Sequence, residues 1–473
     1  MSGAPLAARQ AEHRLVLLTA TRWLPVGLVF GLTVLLPLER GLSLAQVGVL
    51  LSIQGFVVLG LELPTGGLAD ALGRRPLLIA SGVVAVVSTA LLLAASSFWM
   101  FALAMVLQGV FRALDSGPLE AWYVDAVSAH AGSAQVGTAH PDTAHAGTSH
   151  AGTARAGTAR ASTDAPPIER GLSLAAMALG IAIAVGALIG GALVAWSPLA
   201  QVAAPAQISA LALPFAVATV LYATHTVLLG VLVREAPVRA SGARRAAVMT
   251  GALRAAPRTI GQGLRLMRTS RVLRSLVLVE VFWSIAMVAF ETLTPVRLAD
   301  DLGGEDAAAA LFGPASAAAW ALFAAGAVVA GFGSRRIGVA RTAIVARILN
   351  GLFVVVMGLV AGPLGLIVAY WLAYLTHGAA GPMHSALLHR QASQSNRALV
   401  LSMNSMVSGG SYSLGALLLV PLAGATSPGF AFVVAGAFSI VGAALYVPAR
   451  RQEKSSALAS ELVERGAGTA QRT

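Results

Sequence analysis

The sequence predicts an all-α membrane protein with twelve transmembrane helices in two bundles of six. Its 473 residues are 57% hydrophobic and only 11% charged, whereas soluble domains carry about 25% charged residues. A helix needs roughly 20 apolar residues to cross a bilayer, and twelve segments of about that length can be drawn. One long basic connection divides them into two sets of six.

The predicted spans follow one another with short connections in most places. They are 15–38, 45–68, 76–96, 98–118, 171–196, 208–233, 274–298, 307–333, 340–362, 363–382, 398–422 and 428–449. The first span follows a few basic residues, as a secretory signal would. It is too long for the apolar core of a signal peptide, and no small-residue cleavage pattern follows it. We therefore expect an uncleaved membrane helix.

The distribution of charge predicts the orientation. Residues 234–273 contain nine arginines and a single acid, Glu235. The connections on the other side contain only Arg40 and Arg297 as bases, the latter beside several acids. Since basic residues favour the cytoplasmic side, both termini are predicted to be cytoplasmic. The alanine, glycine and arginine content is typical of a GC-rich bacterial gene, and hence of a bacterial inner membrane.

The domain organisation follows from these spans. We predict an N-terminal bundle, an insertion within it, a basic cytoplasmic linker, a C-terminal bundle and a cytoplasmic tail. The corresponding ranges are 1–127 with 171–233, 128–170, 234–273, 274–449 and 450–473.

The insertion contains a repeat of five-residue steps over Thr138–Ser162. It has no apolar side chain larger than alanine, so burial cannot offset the entropy of ordering, and we predict disorder. Its histidines at 140, 145 and 150 suggest a metal tract, but a five-residue spacing does not keep them on one helical face. Repeat slippage without function is the favoured interpretation, and no metal or other cofactor is predicted.

A charged motif, GGLADALGRR, lies between the second and third spans at 66–75. Charged groups beside hydrocarbon are costly, so the motif indicates a role beyond anchoring. Its pattern Gly-x3-Asp-x2-Gly recurs after the eighth span as Gly331-x3-Arg335-x2-Gly338. Two six-helix halves related by parallel repetition are one known way to build a transporter.

The motif at 66–78 resembles the signature of the major facilitator superfamily. The segments 62–66 and 116–122 are similar to those of a bacterial branch of drug or metabolite exporters. The resemblance covers nearly all of the chain outside 128–165. It implies the major facilitator fold, alternating access, and a gating role for Gly66, Asp70, Gly73, Arg74 and Arg75. We expect Asp70 near the N-terminus of the eleventh helix, and the arginines at the rim bound to phosphates or to carboxylates of the other half. The alternative is that the arginines only anchor the topology.

Two further helices match the family in part. The fifth span contains Gly186, Gly190 and Gly191, which resemble an exporter signature, although Ala187 replaces its proline. Ordinary helix packing through small residues is the alternative. In the fourth span Met105 stands where the family has an arginine.

Ionisable residues within spans are candidates for coupling or for a substrate cavity. They are Arg22, Glu62, Arg112, Asp115, Glu280 and His377. Arg112 and Asp115 share a helical face, which favours a pair between them. Glu280 has no nearby cation in its helix and is predicted to be a lone carboxylate that exchanges protons. Glu291 is expected near the outer surface, in contact with water, and His377 is either a packing residue or a proton relay.

These observations favour a secondary transporter rather than an enzyme. The predicted activity is proton-coupled efflux of a small amphipathic compound, a drug or secondary metabolite, with import or exchange of a metabolite as the alternative. A polytopic membrane enzyme would need clustered catalytic groups, which the short outer connections do not offer, and a non-transporting sensor would need a defined interface. The predicted partners are a small-molecule substrate, protons and the bilayer. We expect a monomer without nucleic acid, although the net charge is +12.

Overall fold

The structure is a computed structural model that describes residues 8–137, 168–196, 209–235, 251, 257–258, 260–393 and 396–470. The described part is helical, without β-strands, and has twelve segments long and apolar enough to cross a membrane. These segments are α1 (Ala8–Glu39), α2 (Leu44–Leu72), α3 (Arg74–Ala94), α4 (Phe98–Ala129), α5 (Ile168–Trp196), α6 (Ala212–Leu232), α7 (Arg271–Leu302), α8 (Glu305–Ile337), α9 (Val339–Leu359), α10 (Gly362–Gln391), α11 (Arg397–Ala425) and α12 (Pro428–Ser456). The prediction of an all-α, twelve-span membrane fold is confirmed.

Several of these segments are interrupted by a local change of pitch. The interruptions are a turn at 29–31 in α1, a turn at 116–117 in α4, a π-helical turn at Ala289–Leu293 in α7 and a 3₁₀ turn at Ala443–Tyr446 in α12. The π turn directly precedes Thr294 and Pro295. Proline has no amide hydrogen and breaks the regular ladder of hydrogen bonds, and such a turn often marks a functional site.

The turns that follow α2 and α8 have the same geometry. Gly73 has φ 90° and ψ 158°, and Gly338 has φ 88° and ψ 158°. We call the side of the bundle that carries these turns the Gly73 end, and the opposite side, with the connections 40–43 and 303–304, the Arg40 end. In each half, α1–α6 and α7–α12, the second helix therefore passes to the third through an equivalent glycine.

A carboxylate caps the helix that begins after each of these glycines. Glu235, which follows α6, accepts hydrogen bonds from the backbone N–H groups of Arg74 at 3.1 Å and Arg75 at 2.9 Å. Glu453, near the C-terminal end of α12, accepts from those of Val339 at 3.1 Å and Ala340 at 3.0 Å. An acid at a helix N-terminus satisfies free donors and stabilises the helix dipole.

The two halves share one hydrophobic core towards the Arg40 end. This core includes Phe101 of the first half and Phe312 of the second. Towards the Gly73 end each half has a core of its own, one around Tyr123 and the other around Tyr446. The halves are therefore joined at the Arg40 end, and their cores separate towards the Gly73 end.

Close contacts between helices of different halves reinforce the Arg40 end. Ser52 of α2 donates to the carbonyl of Ser413 in α11 at 2.8 Å. A Cβ added at Gly191 of α5 would lie 2.9 Å from the Cα of Gly313 in α8. The pairs α2–α11 and α5–α8 form the seam along which the halves meet.

Some predicted boundaries differ from the structure. Helix α2 continues to Leu72, so Gly73 alone forms the connection that was predicted at 69–75. The helix that begins at Pro118 within α4 continues beyond the span to Gly137, ten residues into the predicted insertion. This stretch contains several alanines, which are strong helix formers. The five-residue repeat and its three histidines lie outside the described residues.

Candidate functional site

A cavity of about 350 Å³ lies between α1, α2 and α4 of the first half and α11 of the second. Its wall combines charged, polar and apolar groups. The lining residues are Thr19, Arg22, Trp23, Val58, Glu62, Arg112, Ala113, Asp115, Ser116, Gly117, Leu119, Glu120 and Ser405. The structure thus brings together Arg22, Glu62, Arg112 and Asp115, whereas Glu280 and His377 belong to a separate cluster in the second half.

Arg22, which is buried, forms an ion pair with the half-buried Asp115. The Arg22 Nε donates to Asp115 Oδ2 at 2.5 Å. The guanidinium also stacks over two rings, 4.8 Å from the centroid of Trp23 and 4.2 Å from that of Phe111. The aromatic faces and the carboxylate together compensate for the cost of burying this cation.

Arg112 does not pair with Asp115, and the interaction suggested by their spacing is wrong. The spacing does place both side chains towards the same region, but Arg22 from α1 occupies the carboxylate instead. The Arg112 side chain is exposed on the cavity wall and forms no hydrogen bond or ion pair with a described residue. It is an available cation inside the protein.

Glu291 of the other half lies within electrostatic reach of this cation. The sequence-based expectation placed Glu291 near the outer surface, in contact with water. In the structure it is half-buried on the π turn of α7 and interacts electrostatically with Arg112. Tyr412 of α11 lies in the same region, and its hydroxyl is 3.5 Å from that of Thr292.

Glu280 is not a lone carboxylate. It is 6% exposed, and its Oε1 lies 3.0 Å from His384 Nε2 on α10. Asn404 of α11 donates to the same oxygen at 3.4 Å. Ser284 donates to Oε2 at 3.4 Å. The prediction of a lone carboxylate considered only cations within α7, whereas His384 lies on α10 and Asn404 on α11.

His384 links this carboxylate to a tyrosine. Its Nδ1 lies 2.8 Å from the hydroxyl of Tyr446, and the ring is 4% exposed. A neutral imidazole donates from Nε2 to Glu280 and accepts at Nδ1 from Tyr446, whereas a charged imidazole donates from both nitrogens. We call Glu280, His384, Asn404 and Tyr446 the Glu280 network, in which hydrogen bonds join a carboxylate, an imidazole, an amide and a phenol from four helices.

His377 and Arg347 flank a tryptophan beside this network. The His377 ring stacks on Trp283 with centroids 4.3 Å apart, and its Nδ1 has no hydrogen-bond partner among the described residues. The Arg347 guanidinium lies 3.9 Å from the centroid of Trp283 and interacts electrostatically with Glu280. His377 therefore lies next to the Glu280 network without a direct bond to it.

The arginines of the predicted gating motif bind their own half. Arg74 donates to the carbonyl of Ala121 at 2.8 Å and pairs with Asp125. Arg75 donates to the carbonyl of Gly230 at 2.6 Å. The expected contact with carboxylates of the other half is therefore not seen among the described residues. The side chain of Asp70 lies outside the described part, so the gating role of the motif stays a prediction.

The glycines of α5 lie where backbones approach closely. A Cβ at Gly186 would collide with the carbonyl of Leu24, and one at Gly190 with the carbonyl of Leu28, both in α1. Gly191 faces α8, as described above. These positions need small residues for packing, whatever further role the resemblance implies.

Sequence reasoning missed several polar residues of both clusters. They are Ser284, His384, Asn404, Ser408, Tyr412 and Tyr446. The signal for His384 was available, because a histidine within an apolar span is itself a functional candidate. The others are common in membrane helices, and only their convergence distinguishes them.

Comparisons with known proteins agree with this architecture. A family model of the Major Facilitator Superfamily matches residues 15–137, in the first four helices. No curated protein matches the sequence. The nucleoside transporter NupG has the same fold, with a TM-score of 0.68 and 11% identity over 93% of this chain and 98% of its own.

Two further transporter structures have the same fold. A bacterial homologue of the human lysosomal transporter Spinster, inward-facing and occupied, has a TM-score of 0.68 and 16% identity, covering 95% of this chain and 98% of its own. A proton-dependent oligopeptide transporter has a TM-score of 0.65 and 12% identity, covering 94% and 99%. The chain therefore has the major facilitator fold of these structures. At these identities the likeness concerns the fold and not the solute carried.

Proposed function

We propose that this protein is a secondary transporter that carries a small amphipathic solute through the cavity between its halves by alternating access. One observation carries the proposal. The cavity is lined by both halves, with the exposed cation Arg112 from α4 and Ser405 from α11, and the shared core lies only on its Arg40 side. A solute that binds between the two groups would contact both halves, as alternating access requires.

The orientation that fits best has the Gly73 end in the cytoplasm of a bacterium. Exposed arginines gather there, among them Arg75, Arg336, Arg341 and Arg451, as the positive-inside preference requires. In that orientation the cavity belongs to an inward-facing state. The Spinster homologue named above has an inward-facing structure as well.

The cavity wall supports an amphipathic solute. Trp23 and Val58 offer apolar surface, and Arg112 and Glu62 offer charges that form no ion pair with described residues. Binding sites for small molecules typically combine an apolar wall with a few polar groups that fix orientation. A drug-sized compound with one charged or strongly polar group fits this wall.

We propose that protons drive the cycle through the Glu280 network, and that the direction is efflux. The carboxylate and imidazole are both buried and 3.0 Å apart, so loss or gain of a proton changes a charge that water cannot screen. Release of the proton inside would then accompany loading of the solute. Efflux draws on the exporter resemblance of α5 and of 116–122; import of a metabolite is the second candidate.

Transport in a pump-deficient bacterium tests this proposal. Cells that express the protein are loaded with ethidium or rhodamine 6G, and accumulation is measured with and without a protonophore. We expect lower accumulation than in cells with an empty vector, and the protonophore should raise accumulation to the empty-vector level. Cells that express Glu280→Gln should also accumulate the compound to that level, because the amide cannot release a proton.

A matched variant separates coupling from a general charge effect. Glu169→Gln removes an exposed carboxylate near the start of α5 and should transport as the unchanged protein does. Higher accumulation than in empty-vector cells would favour import. Unchanged accumulation of every compound in a wider panel would contradict export, and activity that resists both the protonophore and Glu280→Gln would exclude the proposed coupling site.

A further inference from the structure

A second cavity lies away from the centre, between the start of α7 and the C-terminal part of α12. This groove of about 490 Å³ is found at the Gly73 end. It is lined by Arg271, Val272, Arg274, Ser275, Leu278, Ala444, Leu445, Val447, Pro448 and Arg451. None of these residues belongs to the central cavity or to the Glu280 network, so the transport cycle proposed above does not use it.

The groove is strongly basic. Arg271, Arg274 and Arg451 are all exposed, and their guanidinium groups make no hydrogen bond or ion pair with the described residues. The acid that follows in sequence, Glu453, is bound by Arg390 at 2.9 Å and by the N-terminus of α9. Three cations therefore converge on one concave surface without a counter-charge from the described chain.

The groove also extends into the apolar part of the bundle. Arg271 is the first residue of the α7 span, so the arginines lie at the level where water gives way to hydrocarbon. Two turns further along α7, Leu278 is 42% exposed on the same wall, and Ala444 is exposed opposite. A ligand held here would have a charged group at the rim and an apolar part against the helices.

We propose that this groove binds one anionic phospholipid. Its phosphate would lie among the three guanidinium groups, which match phosphate oxygens in geometry and charge. An acyl chain would run along Leu278 and Ala444 towards the membrane interior. Basic pockets between transmembrane helices are recognised sites for acidic headgroups, and the apolar wall favours a lipid over a free phosphate.

Lipid titration of the purified full-length chain tests the assignment. The apparent melting temperature in detergent is measured against increasing phosphatidylglycerol, with phosphatidylcholine and inorganic phosphate as separate arms. We expect a saturable rise with phosphatidylglycerol alone. The double variant Arg271→Gln/Arg274→Gln should weaken the apparent affinity about 30-fold, since each basic residue near an acidic lipid surface contributes roughly a factor of five.

Two further variants keep the test decisive. Arg336→Gln/Arg341→Gln removes the same charge from exposed positions of α8 and α9 at the same end and should titrate as the unchanged protein does. Ala444→Trp keeps all three arginines but fills the groove, and should lose the response as well.

Several results would overturn the proposal. Equal affinity in the groove variant and its matched control would show that only overall charge matters. An equal response to phosphatidylcholine would remove the need for an acidic headgroup, and an equal response to inorganic phosphate would indicate a phosphate site rather than a lipid site. If the double variant does not fold, Ala444→Trp and the single change Arg451→Gln decide between these outcomes.

Discussion

Gly73 and Gly338 adopt the same backbone conformation, with φ of 90° and 88° and ψ of 158° in both. They are separated by most of the chain, yet each ends a second helix and begins a third. Each is followed by a helix whose first N–H groups are capped by a carboxylate, Glu235 in one half and Glu453 in the other. The repeat of the two halves therefore extends from helix order to individual hydrogen bonds.

Alanine at these glycines should destabilise the protein. This backbone region is essentially restricted to glycine, and a side chain there costs about 1–3 kcal/mol. At Gly338 the added Cβ would also lie 3.2 Å from the Glu453 carboxylate. We expect Gly73→Ala and Gly338→Ala to lower the melting temperature in detergent. Gly60→Ala, inside α2 with open space around it, should be neutral or slightly stabilising.

Removing one partner of the Arg22–Asp115 pair should lower the free energy of unfolding more than removing both charges does. Loss of one partner of a buried pair typically destabilises by about 3–5 kcal/mol because the other charge remains uncompensated. We expect Arg22→Gln and Asp115→Asn each to lower the melting temperature strongly, and the double variant to recover part of the loss. Additive effects in this double-mutant cycle would contradict the coupling of the two groups.

Arg112 should matter for transport and not for folding. Its side chain makes no hydrogen bond or ion pair with a described residue. Arg112→Gln should therefore change the free energy of unfolding by less than about 1 kcal/mol, which is measured as a nearly unchanged melting temperature. Under the proposed function the same change should abolish efflux of a compound whose anionic group pairs with the guanidinium, and Arg112→Lys should retain part of it. Efflux at the full rate by Arg112→Gln would show that the solute binds elsewhere.

The topology can be tested by thiol labelling, since the sequence contains no cysteine. Arg265→Cys and Asp300→Cys place one thiol at an exposed position on each side of the predicted membrane. In intact cells a membrane-impermeant maleimide should label Asp300→Cys only, and after permeabilisation both. Labelling of both positions in intact cells would contradict the twelve-span threading.

Much of the fold could be predicted because the membrane imposes it locally. A span needs about 20 apolar residues in succession, so α3, α5 and α9 could be located from the sequence. The helix ends were predicted less accurately. Helix α2 continues to Leu72 because the tight turn at Gly73 needs only one residue to connect it to α3. The candidate site was predicted by residue type, and four of its six residues line one cavity.

The partners of those residues could not be predicted. Arg112 and Asp115 are neighbours on one helix, but Asp115 binds Arg22, 93 positions away. Glu280 has no cation nearby in its helix, but it binds His384 from α10. Glu291 lies on the π turn of α7, within electrostatic reach of Arg112 from the other half. In each case the outcome depends on the rotation and packing of helices that are distant in sequence.

The sequence by itself determined that the helices lie in a bilayer, how many spans there are and that two halves repeat. Hydrophobic length and glycine spacing are properties of short segments, so they can be read without the tertiary structure. Only the tertiary structure decided which charges neutralise one another, which cation remains available and at which end the halves share a core. Those properties arise where helices from different parts of the chain meet, and there the low dielectric makes a small change of geometry decisive for a charge.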